Sequence, residues 1–532
     1  NGDVDVAANY TGASLLVESK GDIRFQNDIN IIKPATSNLL AEKNTEALSS
    51  STALIMRSGQ ENLAYGDVNS GSVNEFANGT VPEGITVGGN VFLQPFNGGD
   101  ISLEAKNGNI FTDALYSFSD SEFDNAANGG AINLKADNGS ITTGDLFSYS
   151  YSEFGNAGNG GGITLTAGDS ITTQDLESLS FGKENAGNGG AINLTAGGNI
   201  TTQDSRSLSF SENNALNGGA VKFNAFGNII TGGINTESFG NGNGGDITLT
   251  SIAGNIDTTR GTVTSQIKNN SGDNRRAGNI SFTAKGDIQI AEVNASSGKL
   301  LDLEFDNEST IRDYKIKADA FGNGGNIALK ANGDITVGSD ASIISDGLVG
   351  GNITLDSNGD ISIFKQERVE SRFSKPLEQI RSSSFTDINS REVNGGAIAI
   401  SGDSISIKNS EIRGLTYGTA NVGQISLEAS LELYLENSDV EGHTFASGNI
   451  APIKVSASPV ILRNSRIGGA TWSAGYFGSI AVNGGKKVEL DNSFIGSNDV
   501  HFKAGVGQVA VTAESIVIND GGVSSRGNFA GN

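Results

Sequence analysis

The feature that most constrains this chain is an internal repeat of about thirty residues. Four successive copies read GGDISLEAKNGNIFTD from Gly98, GGAINLKADNGSITTGD from Gly129, GGGITLTAGDSITTQD from Gly160 and GGAINLTAGGNITTQD from Gly189. The first apolar residue of the unit recurs at Ile101, Ile132, Ile163, Ile192, Val221, Ile247, Ile280, Ile327, Ile353, Ile398, Ile425, Ile450, Ile480 and Val509. A fixed period on the order of 20 to 50 residues indicates a solenoid, in which each repeat stacks on the next.

Each repeat contains three short segments that read as strands. In Ile192–Ala196 apolar and polar residues alternate, and a period of two is typical of a β-strand. A second strand carries Ile200 and Thr202, a third carries Leu208 and Phe210, and a turn rich in Asn and Gly returns the chain to its start. The predicted fold is therefore an all-β, right-handed parallel β-helix with three strands per coil of about 25 to 33 residues.

A coil this thin cannot bury its apolar face alone, so equivalent strands must pair in parallel along the stack. The recurring Ile and Val positions then form one internal ladder. A second ladder is expected at Leu103, Leu134, Leu165, Leu194, Phe223, Leu249, Phe282, Leu329 and Leu355. A third is expected at Ile110, Ile141, Ile171, Ile200, Ile229, Ile256, Ile288, Ile335 and Ile361.

Irregularities divide the chain into four regions. Residues 1–97 read as irregular N-terminal coils, with strand-like segments at Val4–Ala7, Leu15–Glu18, Ile23–Gln26 and Ile29–Ile32. Within them, the stretch Lys33–Pro95 is less regular and contains a helix-compatible segment, Leu39–Ala47. Residues 98–290 are regular coils, 291–394 are coils with two side insertions, and 395–532 are C-terminal coils. The insertions follow from the long intervals between Ile280 and Ile327 and between Ile353 and Ile398, each expected to hold one coil plus an excursion.

Composition excludes several functional classes. The formal net charge of -25 makes nucleic acid an improbable partner, because phosphate binding needs a basic surface. The absence of Cys excludes disulfides, thiolate metal sites and a cysteine nucleophile. No run approaches about 18 apolar residues, so no transmembrane segment is predicted. Because the chain starts without Met, we interpret it as a processed or truncated piece of a longer protein.

Aromatic residues concentrate on the third strand of the early coils, and they are candidates for a binding surface. They comprise Tyr116, Phe118, Phe123, Phe147, Tyr149, Tyr151, Phe154, Phe181 and Phe210. Rings at alternate positions of stacked strands predict one internal and one external aromatic ladder, with the interleaved Ser on the other face and core filling for at least half of the rings. Tyr149, Tyr151 and Phe154 are the surface-binding candidates of this group.

A second candidate surface is basic. The excursion Phe364–Asn394 holds Lys365, Arg368, Arg372, Lys375, Arg381 and Arg391 on an otherwise acidic chain. Among these, Arg368, Arg372 and Arg381 are the residues expected to grip an acidic ligand.

Acidic residues recur at the Gly-rich corners and leave two interpretations open. They are Asp22, Asp100, Asp169, Asp246, Asp287, Asp334, Asp360 and Asp403. Stacked carboxylates beside backbone carbonyls could bind calcium, which takes six to eight oxygen ligands. Alternatively, Asp stands at a corner because its carboxylate accepts hydrogen bonds from the turn backbone. The short nonapeptide repeat of calcium-binding β-rolls is absent.

Candidates for catalysis are few. Only two His occur, His443 and His501, and we interpret them as surface residues. Asp302, Glu304 and Asp306 would lie on one strand face at the spacing of an acid pair, although alternate outer positions of a strand must be polar in any case. We therefore expect no enzyme activity and no cofactor other than the possible calcium.

The repeat units, together with YTGASLLVESKGDIRFQNDINI at residues 10–31, resemble the filamentous-haemagglutinin-like exoproteins of two-partner secretion, especially the cyanobacterial ones. The resemblance implies a β-helical stalk that an outer-membrane transporter exports and that folds outside the cell. It implies a secreted or cell-surface rod that adheres to other cells or to a surface polysaccharide, or self-associates into fibres. The alternatives are a carbohydrate-binding adhesin and a β-helical polysaccharide lyase or hydrolase.

Overall fold

A computed structural model describes residues 3–35, 52–59, 84–93, 98–268, 275–297, 299–303, 316–319, 322–365, 380–384, 395–417, 419–445, 447–471, 475–499 and 507–526. These residues form strands and turns, and no helix occurs among them. By internal contacts the chain divides into two units, Asn1–Gly254 and Asn255–Asn532.

In both units the strands are arranged in three columns, and a coil contributes one strand to each. Column 1 contains the Ile-x-Leu-x-Ala strand of the repeat, and columns 2 and 3 contain the second and third strands. Each strand pairs in parallel with the equivalent strand of the neighbouring coil, as Ile132 does with Ile163 and Ile163 with Ile192. The chain is therefore a parallel β-solenoid, as the repeat predicts, and its right-handed sense stays a prediction.

Unit 1 has the following strands. Column 1 contains Leu15–Glu18, Ala53–Ser58, Asp100–Ala105, Ile132–Ala136, Ile163–Ala167, Ile192–Ala196, Val221–Ala225 and Ile247–Ser251. Column 2 contains Val4–Val6, Ile23–Phe25, Gly84–Val87, Asn109–Thr112, Ile141–Thr143, Ile171–Thr172, Ile200–Thr201 and Ile229–Ile230. Column 3 contains Tyr10–Ala13, Ile29–Lys33, Val91–Leu93, Leu115–Ser121, Leu146–Ser152, Leu176–Gly182, Ser205–Phe210, Ile234–Asn235 and Ser238–Phe239. Asn185–Ala186 and Asn214–Ala215 form a separate parallel pair.

Unit 2 repeats the arrangement. Column 1 contains Ile280–Ala284, Ile327–Ala331, Ile353–Ser357, Ile398–Gly402, Ile425–Ala429, Ile453–Ser456, Ile480–Asn483 and Val509–Thr512. Three continuous strands run through columns 2 and 3: Ile256–Thr264, Ile288–Asn294 and Ile335–Gly347. Column 2 continues with Ile361–Phe364, Ile405–Lys408, Leu433–Glu436, Val460–Arg463, Lys487–Asp491 and Ser515–Asn519. Column 3 continues with Ile380–Ser384, Glu411–Thr416, Asp439–Thr444, Arg466–Thr471, Phe494–Asp499 and Gly522–Arg526.

The core of each unit consists of the predicted internal ladders. Ile101, Ile132 and Ile163 are fully buried in register in column 1, and Ile110, Ile141 and Ile171 are fully buried in column 2. The Leu and Phe ladder, Leu103 to Leu355, is buried at every predicted position. Apolar side chains from the coils thus fill a narrow interior, and its burial is the main favourable term in folding.

One predicted ladder position is wrong. Ile453, and not Ile450, pairs with Ile425 and Ile480 in column 1. Ile450 is buried one corner earlier, where it forms isolated bridges with Val422 and Phe477. Pro452 separates the two Ile, and the alternation Ile453-Lys454-Val455 marks the strand.

The two long intervals of the repeat each hold one coil with an insertion, as predicted. Ile280 pairs directly with Ile327, and Ile353 pairs directly with Ile398, so each interval is a single coil that carries an insertion. Within the first insertion, Lys299–Leu303 pairs in an antiparallel manner with Ile316–Asp319. The helix-compatible segment Leu39–Ala47 and most of the stretch Lys33–Pro95 lie outside the described residues.

Candidate functional site: an aromatic face on unit 1

The third-column strands of unit 1 turn small hydroxyls inward and large rings outward. In the strand Leu115–Ser121, burial alternates, so that Leu115, Ser117 and Ser119 are buried while Tyr116 and Phe118 face outward. The strand Leu146–Ser152 pairs with it in register, Leu176–Gly182 pairs in turn with Leu146–Ser152, and both keep this alternation of side chains. Parallel in-register pairing therefore places like positions of successive coils beside each other on the outer surface.

The buried Ser side chains determine which face the rings take. Ser178 Oγ donates to the carbonyl oxygen of Gly161 at 2.7 Å and accepts from the backbone N–H of Gly190 at 2.9 Å. A Cβ atom on Gly190 would lie 2.4 Å from Gly161 O, so the backbone corner leaves no room for a larger residue. The same donation to a corner glycine carbonyl is made by Ser117, Ser148 and Ser207. Since this interior requires a compact donor and acceptor, the aromatic side chains of the strand must point outward.

The outward side chains form three rows that run from coil to coil. Row A is Phe92, Tyr116 and Phe147; row B is Phe118, Tyr149 and Leu179; row C is Tyr151, Phe181 and Phe210. We call these rows, with Phe123 and Phe154, the aromatic face.

Rings within rows A and C stack on one another. Phe92 and Tyr116 have centroids 4.9 Å apart with an interplanar angle of 5°. In row C, Tyr151 and Phe181 are 5.1 Å apart, and Phe181 and Phe210 are 4.8 Å apart at an angle of 3°. Such offset stacks contribute about 0.5–1.5 kcal/mol per pair beyond area burial, so the rows are held in fixed positions.

Row B is fixed at its centre by a charged group. The Tyr149 hydroxyl donates to the Glu177 carboxylate, which also pairs with Arg206 at 2.8 Å. Burial, and then the hydrogen bond to Glu177, raises the pKa of Tyr149 far above its ordinary value. The hydroxyl therefore remains protonated at neutral pH and is already engaged within the chain.

Two grooves flank row C, one on each side. The first groove, between rows B and C, has a volume of about 510 Å³ and is lined by Phe118, Asp120, Tyr149, Tyr151, Leu179 and Phe181. The second groove, of about 220 Å³, lies on the other side of row C beside Glu153, Phe154, Lys183 and Glu212. The first volume is in the range of about 300–1,000 Å³ that small-molecule sites occupy.

The structure corrects one part of the aromatic prediction. None of the nine aromatic residues named from the sequence belongs to the buried core, so the internal aromatic ladder and the core-filling role are wrong. All of them are half-buried or exposed, with Phe123 exposed by 74% and Phe154 by 46%. Tyr149, Tyr151 and Phe154, which were predicted as surface residues, lie together on one face.

Of the three basic candidates, the structure describes Arg381 alone. Arg368 and Arg372 are outside the described residues. Arg381 belongs to unit 2, where its guanidinium pairs with the buried carboxylate of Asp346, with Nε to Oδ2 at 2.9 Å. Arg381 is thus engaged in an ion pair within the fold, and its role in gripping a ligand stays a prediction.

No known protein family matches this chain, and neither does any curated protein or any solved structure. Functional assignment therefore depends on the geometry of the chain itself.

The acidic corners have a structural role that the sequence suggested as one of two interpretations. Asp287 Oδ1 accepts the backbone N–H of Asp334, Asp334 Oδ1 accepts that of Asp360, and Asp360 Oδ1 accepts that of Ser404. Each carboxylate thus bonds to the equivalent corner of the next coil, and not to its own turn. Asp100 acts in the same way towards Ala131. In the described residues no group of three or more His, Asp or Glu is arranged to hold a metal ion, and calcium binding stays a prediction.

The remaining acidic candidates have different surroundings. Asp169 Oδ2 accepts from the Ser140 hydroxyl at 3.0 Å, and Asp403 Oδ1 accepts from that of Ser430 at 2.6 Å. Asp22 forms an ion pair with Arg24, its Oδ1 also accepts the backbone N–H of Gly84 in the next coil at 3.1 Å, and Asp246 has a partner as well. The contacts of Asp169 and Asp403 join side chains of successive coils.

Sequence reasoning missed a charged cluster on column 3 of unit 2. Glu441 Oε2 lies 2.7 Å from His443 Nε2, Glu441 Oε1 lies 3.1 Å from Arg466, and Arg413 bridges Glu411 at 3.0 Å and Glu441 at 3.8 Å. The Glu441 side chain is only 4% exposed. The interpretation of His443 as an exposed surface residue is wrong, because its side chain is 14% exposed.

Opposing effects determine the ionisation of this cluster. Burial acts to raise the pKa of Glu441, but the hydrogen bond with His443 and the charges of His443, Arg466 and Arg413 outweigh it, so the pKa is lowered. Burial and the nearby Glu441 charge raise the pKa of Asp439. The signal for this cluster was the coil period, since Arg413, Glu441 and Arg466 lie about one coil apart.

The other residues considered for catalysis are not described at the level of their side chains. His501, Glu304 and Asp306 are outside the described residues, and Asp302 lies on the antiparallel strand Lys299–Leu303. No helix in the described parts of the chain is long and apolar enough to cross a membrane.

Proposed function

We propose that this chain is a secreted or cell-surface adhesive scaffold, in which the β-solenoid displays the aromatic face of unit 1 to a partner without catalysing a reaction. The observation that carries the proposal is the exposure of a contiguous set of rings on one outer surface. Soluble proteins rarely leave large apolar patches in water, and those that persist usually mark interaction sites.

The fold itself does not require these rings. Other outer positions of the same unit are small and polar, such as Thr164 and Thr166 in column 1 and Thr142 in column 2. Those positions show that a coil of this type tolerates hydroxyl side chains outside. The rings therefore add nothing that the stack needs for closure, which supports a role in binding.

Export and assembly are the finer parts of the proposal. The resemblance of residues 10–31 and of the repeats to two-partner-secretion exoproteins supports export through an outer-membrane transporter and display outside the cell. The same aromatic face could join copies of the chain into a fibre, or bind carbohydrate on another surface. Sedimentation of the purified chain at increasing concentration separates these outcomes, because fibre formation depends on concentration and is lost when the face is made polar.

A second candidate function depends on the charged cluster of unit 2. Polysaccharide-cleaving β-helices combine carboxylates with a basic group, and Glu441, His443 and Arg466 provide both kinds of group. However, His443 Nδ1 is inaccessible to solvent, which places the imidazole poorly for a substrate. Incubation with an acidic polysaccharide would detect this activity, and its loss in His443→Ala would assign it to the cluster.

The adhesive role is tested by retention on three surfaces: whole bacterial cells, polysaccharide beads and alkyl-coated beads. The test variant combines Phe123→Ser, Tyr151→Ser and Phe154→Ser, at side chains exposed by 74%, 39% and 46%. The control variant combines Phe111→Ser, Phe226→Ser and Tyr476→Ser, at aromatic side chains of comparable exposure elsewhere, 40%, 55% and 51%. We expect retention of the unmodified chain and of the control, and loss in the test variant. Equal retention of both variants would contradict the proposal.

A further inference from the structure

We propose that the first groove binds an unbranched hydrocarbon chain that carries an ammonium group at one end, in the manner of a cationic lipid-like amphiphile. This inference rests on the proposed function, because it names the ligand class of the same aromatic face. The alkyl part lies between rows B and C, and the ammonium group lies at the Asp120 end of the groove.

The walls of the groove select an apolar chain. Phe118, Tyr149 and Leu179 form one wall, and Tyr151 and Phe181 form the other. The polar side chains at this groove offer a ligand little: the Tyr149 hydroxyl donates to Glu177, and Ser119 and Ser150 are buried on the inner face of their strands, where Ser150 Oγ donates to Ala127 O at 2.6 Å. A sugar would bury several hydroxyls there without partners, at a cost of roughly 1–3 kcal/mol each.

The ring stacking in row C also disfavours a sugar. One face of Tyr151 and both faces of Phe181 are covered by neighbouring rings at 4.8 to 5.1 Å. Stacked rings of this kind present their edges to a ligand, and edges offer C–H groups that pack against methylenes. Each methylene buried there contributes about 0.8 kcal/mol.

The length of the groove favours a long chain. Its walls extend over three coils, Phe118 to Leu179, which at about 4.8 Å per strand spacing corresponds to roughly 10 Å. In-register pairing keeps the two walls aligned from coil to coil, so the groove runs along the stack and suits an unbranched chain. The four-carbon stem of a Lys side chain would fill only part of this length.

One end of the groove is suited to a cation. Asp120 pairs in register with Tyr151, so its carboxylate takes the place in row C that rings take in the next coils. The Asp120 side chain is exposed, and in the described parts of the chain no basic side chain forms an ion pair with it. No described ring stacks on the side of Tyr151 that faces this coil. An ammonium group there would meet both a carboxylate and an open ring face, and cation–π contact of this type contributes about 0.5–2 kcal/mol.

The surroundings are complementary to positive charge. Glu122, Glu153 and Glu212 are exposed along the outer side of row C, and the whole chain carries a formal net charge of -25. Two cations lie near these rings: the Lys183 ammonium is over the Phe154 ring at 5.1 Å, and Arg206 is paired with Glu177 at 2.8 Å. An anionic amphiphile of the same chain length would therefore be repelled where a cationic one is attracted.

The test uses five probes on the full chain by isothermal titration: dodecylammonium, dodecanoate and dodecyl maltoside, all below micelle formation, a linear hexasaccharide and an oligolysine peptide. We expect dodecylammonium to bind about tenfold or more tightly than dodecanoate, since a close pair of opposite charges and a cation–π contact favour only the former. Asp120→Asn should abolish this preference, and Tyr151→Ser should weaken the binding of both dodecylammonium and dodecanoate. Two matched controls, Asp113→Asn on the same coil and Phe111→Ser on column 2, should bind as the unmodified chain does.

The other outcomes overturn the inference and separate it from the proposed function. Equal binding of dodecanoate, or an unchanged preference in Asp120→Asn, excludes the ammonium site. Hexasaccharide binding that is lost in Tyr151→Ser excludes the alkyl ligand but leaves adhesion through the aromatic face intact. Tighter binding of an oligolysine peptide than of dodecylammonium identifies a protein partner in place of an amphiphile. If no probe binds, and the variant that combines Phe123→Ser, Tyr151→Ser and Phe154→Ser still adheres to cells, both proposals fail.

Discussion

The substitution Ser178→Ala tests the physical reason for the aromatic face. The Ser178 hydroxyl is fully buried and serves two backbone groups, Gly161 O at 2.7 Å and Gly190 N–H at 2.9 Å. Alanine fills nearly the same space but leaves both groups without that partner. Each orphaned buried group costs about 1–3 kcal/mol, so we expect roughly 2–6 kcal/mol of local destabilisation.

The assay must report on one coil, because repeat proteins do not unfold as a single cooperative unit. Hydrogen exchange of peptides that contain Gly161 and Gly190 meets this need. A loss of roughly 2–6 kcal/mol corresponds to exchange about 30- to 20,000-fold faster, since about 1.4 kcal/mol is a factor of ten. Ser102→Ala, on the outer face of column 1, is the matched control and should change exchange little. If Ser178→Ala behaves like this control, the hydroxyl does not hold the third column to the glycine corner, and the reasoning is refuted.

Three further predictions concern other parts of the chain. Asn437 has a φ of 49°, so Asn437→Ala should destabilise its coil by about 1 kcal/mol while Asn437→Gly does not. Hydrogen exchange that is not faster in the Ala variant than in the Gly variant would contradict this. Glu441→Gln removes the carboxylate shared by Arg413 and Arg466, but Arg413 keeps Glu411 and the Arg466 side chain is 35% exposed, so we expect about 1–3 kcal/mol of local destabilisation, measured as faster exchange in Asp439–Thr444. Because the pKa of Tyr149 is raised in the folded state, its coil should lose stability as the pH rises above about 10. Hydrogen exchange measured across that pH range should show this loss in the unmodified chain and not in Tyr149→Phe.

The interior of the coils could be predicted because its pattern is local. Ile192, Leu194 and Ala196 alternate with polar residues within one strand, and the recurrence of the pattern gives the register between coils. The single ladder error, Ile450 in place of Ile453, arose where two Ile flank a proline and the interval alone did not decide between them.

The orientation of the aromatic residues was harder to predict because the deciding contact is not local. Tyr116, Ser117 and Phe118 alternate, and hydrophobicity alone assigns the rings to the core. The structure reverses this, since Ser117 Oγ donates to Gly99 O, a residue of a different turn. A signal was nevertheless present: Leu115 has the same strand parity as Ser117, and a leucine that begins a strand is expected to be buried.

The charged cluster of unit 2 illustrates a different difficulty. Arg413, Glu441 and Arg466 are remote in sequence and meet only because each stands at an outer position of a different coil. Such a cluster can be found only after the register is known, because a shift of one residue would turn every side chain to the other face.

We propose that the chain binds its partner through the aromatic face of unit 1. Oxidative footprinting of aromatic side chains, with the chain free and bound to the surface that retains it, tests this claim most directly. We predict protection of Phe123, Tyr151 and Phe154 on binding, with unchanged labelling of Phe226 and Tyr476. Protection of Phe226 or Tyr476 while Tyr151 remains fully labelled would contradict the account.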